Sequence, residues 1–191
     1  LAQTQPFGAA QGTTNNGVGA AVRQALAPAP VDWRQVRVVV SVNSLANRPG
    51  GASAETDMLR AALRQAVEAT PGFAVHPTGP LPAAAQQRLR AHTLRWFGLE
   101  GSLTSLQRQQ DGTGVRVRAE LSLAIVSEPA HNIIGTLSTA ATAQEPPPPP
   151  QAPDPGPRLT RAALETVARG AIQRMQGQFL QAPAAPRRGR R

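Results

Sequence analysis

The feature that most constrains the fold is a long run in which apolar and polar side chains alternate, Val115–Val126. Its odd-numbered positions are all apolar, whereas its even-numbered positions begin with Arg116, Arg118, Glu120 and Ser122. Because successive side chains of a strand point to opposite faces of a sheet, the pattern predicts a strand with one buried and one solvated face. The rest of the chain must therefore supply a layer that covers the apolar face.

Two further β patterns flank this run. Trp96–Gln107 precedes it across the turn residues 111–114, and Ile133–Ala143 follows it across residues 128–132. Clusters of Gly, Asp, Asn and Pro are typical of such turns, so the three strands are predicted to form an antiparallel meander. On the last strand, we expect one side to carry Ile133, Gly135, Leu137 and Thr139.

The remaining elements are predicted from their periodicity. A Val-rich strand at Val36–Val42 precedes a helix that starts at Ser53, and Phe73–Val75 is a short second strand. Pro82 opens a second helix that reaches Leu94, and Thr160 is expected to cap a last helix with a regular apolar stripe. The predicted fold class is α+β, a two-layer α/β sandwich of order βαβαβββα. Its mixed sheet ends in the antiparallel meander, and its helices pack mainly on one face.

Pro and Gly set the expected domain boundaries, since 19 Pro and 17 Gly are concentrated outside the periodic segments. We expect residues 1–30 to be a disordered linker or the mature N-terminal tail. Residues 33–180 are expected to form a single α/β domain that contains a Pro-rich loop at 145–157. Residues 182–191 are expected to be a basic disordered tail.

Several enzyme classes are excluded by residue types that the chain lacks. It contains no Cys, no Tyr and no Lys, so all 20 basic residues are Arg. Thiolate nucleophiles, zinc fingers, Schiff-base lysines and the phosphate-binding lysine of a P-loop are therefore impossible. His76, His92 and His131 stand apart in the sequence and are interpreted as isolated surface histidines. We expect no enzyme activity, no cofactor and no metal.

The charge distribution suggests a weakly basic domain with a basic end. The formal charge is +9 and the sequence pI is about 11.8. Four of these charges come from a short C-terminal stretch, namely Arg187, Arg188, Arg190 and Arg191. Through this tail we expect only weak, salt-sensitive, non-specific contact with polyanions.

A second candidate binding surface is the polar side of the alternating strand. Arg116, Arg118 and Glu120 share that side and would suit an acidic partner or RNA. Sheet surfaces that read RNA usually add exposed aromatic side chains, and this strand has none. A solvated strand face is the simpler interpretation of the three residues.

The order of elements, with three local motifs, resembles a small α/β domain of cell-envelope proteins. The motifs are Val38–Asn43, Gly72-Phe73-Ala74-Val75 and the Gly-x-Leu strand Phe97–Leu103. The family includes the N-terminal domain of the translocation protein TolB, the lipoprotein LpoB and the periplasmic part of CsgG. The chain departs from it in its Pro-rich insertion and in having no Cys for a lipid anchor. The resemblance implies a non-enzymatic assembly domain that binds another envelope protein, and it implies no catalytic residue.

The expected location is the periplasm or the outside of the cell. Leu1–Pro6 is typical of the last residues of a secretory signal followed by the start of the mature chain, although an arbitrary domain boundary would look the same. No apolar run is long enough for a transmembrane span. The alternatives are a cytoplasmic nucleic-acid-binding module and the C-terminal domain of a larger scaffold protein. Partner identity and oligomeric state are not predicted.

Overall fold

The computed structural model describes residues 31–47, 53–149 and 151–180. The predictions for residues 1–30 and for the arginines of residues 182–191 lie outside these ranges. The elements in chain order are β1 (Val38–Asn47), α1 (Ser53–Glu68), β2 (Phe73–Val75), α2 (Ala83–Arg90), β3 (Arg95–Asp111), β4 (Gly114–Ser127), β5 (Asn132–Glu145) and α3 (Gly156–Leu180). None of these helices is both long and apolar enough to cross a bilayer.

The strands form one mixed sheet of order β2-β1-β3-β4-β5. β1 runs parallel to both β2 and β3, whereas β3, β4 and β5 pair antiparallel as the predicted meander. The α+β class and the order βαβαβββα are thus confirmed. The long helices α1 and α3 pack together on one face of the sheet. This agrees with the prediction that the helices lie mainly on one face.

The main core lies between the sheet and these two helices. The odd-numbered side chains of β4 from Val115 to Ile125 are all buried there, including Leu121 and Leu123, each 1% exposed. Leu63 of α1 and Ile172 of α3 meet them from the helical layer. A fully buried aliphatic side chain contributes roughly 1.5–3 kcal/mol, so this layer dominates the folding free energy.

The short helix α2 packs on the opposite face, over the β2-β1-β3 end of the sheet. Its Ala85 is buried with Val39 of β1 and Ala74 of β2 in a second, smaller cluster. This placement follows from handedness, because β-helix-β crossovers between parallel strands are right-handed. The chain moves from β1 to β2 in one direction and from β2 to β3 in the other, so α1 and α2 must cover opposite faces.

A register shift in β5 places one residue on the sheet face opposite to the predicted one. In β5 the register with β4 shifts near Ile134, so that Ile125 pairs with Gly135 whereas Val126 pairs with Ile133. The extra residue reverses the side on which earlier side chains point. The prediction that Ile133 shares the core side is therefore wrong, and Ile133 is 69% exposed. Leu137 and Thr139, beyond the shift, are buried as expected.

The helix limits also differ from prediction. α3 begins at Gly156, and the Asp154 carboxylate accepts a hydrogen bond of 3.0 Å from the Gly156 backbone N–H, so the expected cap at Thr160 is wrong. α2 ends at Arg90 rather than near Leu94, and residues 91–94 form a turn that follows the helix. β1 continues to Asn47, past the limit at Val42 that its Val pattern predicts.

The Pro-rich connection between β5 and α3 is tied at both ends by ion pairs. Glu145 still belongs to β5 and accepts a hydrogen bond from Arg158. Arg108 of β3 binds both carboxylate oxygens of Asp154, at 2.6 and 2.8 Å. These hydrogen bonds from Arg108, then that from the Gly156 N–H, lower the pKa of Asp154. The ion pair between Arg108 and Asp154 therefore weakens only when the pH falls through the lowered pKa of Asp154.

The two faces of β4 predict opposite mutational costs. Leu123→Ala should destabilise the protein by about 2–5 kcal/mol, because it leaves a cavity in the main core. Arg118→Ala, on the other face of the same strand, should cost less than about 1 kcal/mol. Urea melts of both variants measure the difference. A larger loss for Arg118→Ala would mean that the register of β4 is wrong by one residue.

Candidate functional site

The predicted residues Arg116, Arg118 and Glu120 lie side by side on the sheet face opposite to α1 and α3. We call the part of this face formed by β3, β4 and β5 the open face. Its cross-strand rows follow from the register: Gln109, Arg116 and Gln144; Gln107, Arg118 and Thr142; Ser105, Glu120 and Ala140. No helix among the described residues covers these rows, so the structure places the three predicted residues together on an accessible surface.

The charged end of the open face combines one ion pair with one further cation, Arg116. Arg118 donates to the Glu120 carboxylate, with nitrogen–oxygen distances of 2.8 and 3.0 Å, and both side chains remain well exposed. Arg116 makes no ion pair with another described residue. The nearby Asp111 has a lowered pKa, chiefly because the Thr113 hydroxyl and backbone N–H donate to its carboxylate and to a smaller extent because of the Arg116 charge. Arg116 is therefore the cation that an approaching acidic group would meet.

Beyond this charged end, the open face is built from small side chains. Ser102, Ser122 and Ser138 form one cross-strand row, and Glu100, Ala124 and Thr136 form the next, in which Glu100 is the exception to the small side chains. A shallow depression crosses these rows and extends to Ser44 and Ala46 of β1. Apart from Glu100, the side chains that line it on this face are small, so another protein surface can approach this part of the sheet closely.

A second surface is a groove of about 950 Å³ beside α2, which we call the α2 groove. It lies where α2, the first residues of β3 and the β4–β5 turn converge. Its apolar lining comes from Pro80, Leu81, Leu89, Leu94, Trp96, Phe97 and Pro129. Sequence reasoning missed this groove, because its walls come from segments that are far apart in the chain.

Two of the groove's rings are locked by hydrogen bonds within the protein. The imidazole of His76 stacks on the indole of Trp96, with centroids 4.6 Å apart. The Trp96 Nε1–H donates to Ser41 Oγ at 2.8 Å, and His76 Nδ1 lies 2.7 Å from the Pro77 carbonyl oxygen. Both rings are thus held in fixed orientations. The expectation that His76 is isolated is wrong.

His131 is not isolated either. Its Nε2 lies 3.1 Å from Glu100 Oε1, and its Nδ1 lies 3.4 Å from Glu128 Oε1. Asn43 Nδ2 donates to the same two carboxylates, at 3.4 and 3.2 Å. Both ring nitrogens therefore face carboxylate oxygens. The structure arranges no three His, Asp or Glu side chains to hold a metal within the described ranges.

Several solved bacterial proteins are similar to the chain in structure. The hypothetical protein CT253 from Chlamydia trachomatis matches with a TM-score of 0.51 at 9% identity, over 74% of this chain and 97% of that chain. A minor lipoprotein from Acinetobacter baumannii gives a TM-score of 0.47 at 16% identity, over 73% of this chain and 93% of that chain. The PelC dodecamer from Paraburkholderia phytofirmans gives 0.41 at 15% identity, over 74% and 89%.

At the sequence level, no family model matches the chain and no curated protein matches it. The likeness to CT253 supports the α+β fold and nothing beyond it. The narrower resemblance to TolB, LpoB and CsgG stays a prediction.

The cluster around His131 leads to a prediction about Gly98. A Cβ added to Gly98 would lie 2.6 Å from Asn43 Nδ2 and 2.9 Å from Glu128 Oε1, whereas one added to Gly112 meets nothing within 4 Å. Gly98→Ala should therefore destabilise the protein by about 1–3 kcal/mol through overpacking. Gly112→Ala, the matched control, should change stability by less than about 0.5 kcal/mol. Thermal melts that show equal stability for the two variants would contradict the packing around Asn43.

Proposed function

We propose that the chain is a non-enzymatic domain of the cell envelope that binds another protein through its open face. The observation that carries the proposal is the one-sided covering of β3, β4 and β5. One face of these strands is buried under α1 and α3, whereas the other presents ordered polar side chains to solvent. A sheet of this kind offers a flat, rigid surface for a second protein.

The chemistry of the open face favours an acidic partner. Arg116 is exposed and unpaired among the described residues, and Arg118 is held in place by Glu120. The glutamines and Thr142 in the neighbouring rows add hydrogen-bond donors and acceptors around the two cations. Such a polar surface with exposed cations gives specificity and a faster encounter rather than a large apolar burial.

The envelope location is supported by the sequence. The motifs Val38–Asn43, Gly72–Val75 and Phe97–Leu103 resemble those of envelope assembly domains, and the fold agrees with the order of elements on which that resemblance depends. The partner proposed is accordingly another envelope protein.

Charge reversal tests the proposed surface. The full chain, immobilised on a support and exposed to an envelope extract, should capture a partner. Arg116→Glu combined with Arg118→Glu should weaken that capture by about tenfold. Arg161→Glu and Arg169→Glu together, on exposed positions of α3, apply the same charge change away from the open face and should leave capture within about twofold. Quantitative mass spectrometry of the captured proteins measures both effects.

Two results would count against the proposal. Equal loss in both double variants would mean that only the overall charge matters. Tight binding to one DNA or RNA sequence over scrambled controls, retained after deletion of Arg187–Arg191, would favour the nucleic-acid-binding alternative instead.

A further inference from the structure

The α2 groove has a cationic rim that comes from one short connection. Arg90 ends α2, Arg95 begins β3, and His92 lies between them with a φ of 55°. All three side chains line the groove. The groove and the charged rows of the open face have no lining residue in common, so this inference does not rest on the proposed protein partner.

Several polar atoms of the groove walls already have hydrogen-bond partners inside the protein. Gln86 Nε2 donates to the Leu81 carbonyl oxygen at 2.7 Å, as the Trp96 indole N–H does to Ser41. The Glu128 carboxylate is engaged by Asn43 and His131. An extended peptide in the groove would find few free partners for its backbone, which peptide-binding grooves normally supply.

The cations of the rim are less occupied. Arg90 forms no ion pair with a described residue. One N–H group of Arg95 donates a hydrogen bond to the Phe179 carbonyl oxygen, at 3.0 Å. The site therefore combines an apolar trough, in which Leu89 and Trp96 are partly exposed above the buried Leu81 and Leu94, with positive charge at one edge. Its volume lies within the ordinary range for small-ligand sites, about 300–1,000 Å³.

We propose that the α2 groove binds a single-chain anionic amphiphile, a long-chain carboxylate. The acyl chain would lie along the partly exposed Leu89 and Trp96, where each buried methylene contributes about 0.8 kcal/mol. The carboxylate would meet the Arg90 guanidinium at the rim. The charge at the rim and the self-satisfied polar atoms of the wall together favour this ligand over a peptide or a neutral molecule.

Calorimetric titration of the full chain with dodecanoate, below its micelle concentration, tests the proposal. Dodecanoate should bind, and dodecyl maltoside, which has the same chain and no charge, should bind at least about tenfold more weakly. Leu89→Ser should weaken dodecanoate binding by about tenfold, and Arg90→Gln by about threefold to tenfold. Ile133→Ser, an exposed apolar residue outside the groove, should leave the affinity unchanged.

Each alternative gives a different result. No binding below the micelle concentration, or equal affinity for the two detergents, would overturn the proposal. Equal loss in Leu89→Ser and Ile133→Ser would show non-specific adsorption and would overturn it as well. Binding that appears only after deletion of residues 181–191 would assign the groove to the chain's own C-terminal segment. Far-UV circular dichroism of each variant verifies that it is folded.

Discussion

The structure depends on the burial of the first three residues of β1 on both faces of the sheet. Val38, Val39 and Val40 are all 0% exposed, although successive side chains of a strand point to opposite faces. Val38 and Val40 pack under α1 and α3, whereas Val39 packs under α2. A strand without an alternating pattern needs a layer on each side. The right-handed crossovers on either side of β1 supply these layers, because they place α1 and α2 on opposite faces of the sheet.

The same constraint explains why the other half of the sheet is different. α2 is short and covers only the β2-β1-β3 end, so none of the described helices reaches the second face of β4 and β5. The alternating sequence of β4 matches this one-sided cover, with Arg116 and Arg118 on the uncovered side. The α2 groove forms at the boundary, where the cover of α2 ends against the β4–β5 turn. Both proposed binding surfaces thus follow from the limited length of one helix.

Local patterns in the sequence predict most of the elements but not the points where they are irregular. The alternation around Leu121 identifies β4 and its buried side correctly, because each residue of that strand obeys the same period. The predicted face of Ile133 is wrong because the register shift at Ile134 leaves no recognisable pattern in the sequence. The His131 cluster and the α2 groove could not be predicted, since the antiparallel pairing of β3 with β4 is what brings Glu100 near Glu128. Residues that share a site only through strand register carry no common local motif.

Solvent access to the two faces of the meander tests this account most directly. The chain has no Cys, so single cysteines at Thr142 and at Ala119 report on the open face and on the main core. The account predicts that a thiol reagent modifies Thr142→Cys in the native full chain at nearly the rate of the unfolded protein. Modification of Ala119→Cys should be slower by at least about a hundredfold, because it requires opening of the core. Similar protection at the two positions would contradict the account, since it would mean that another layer covers the open face.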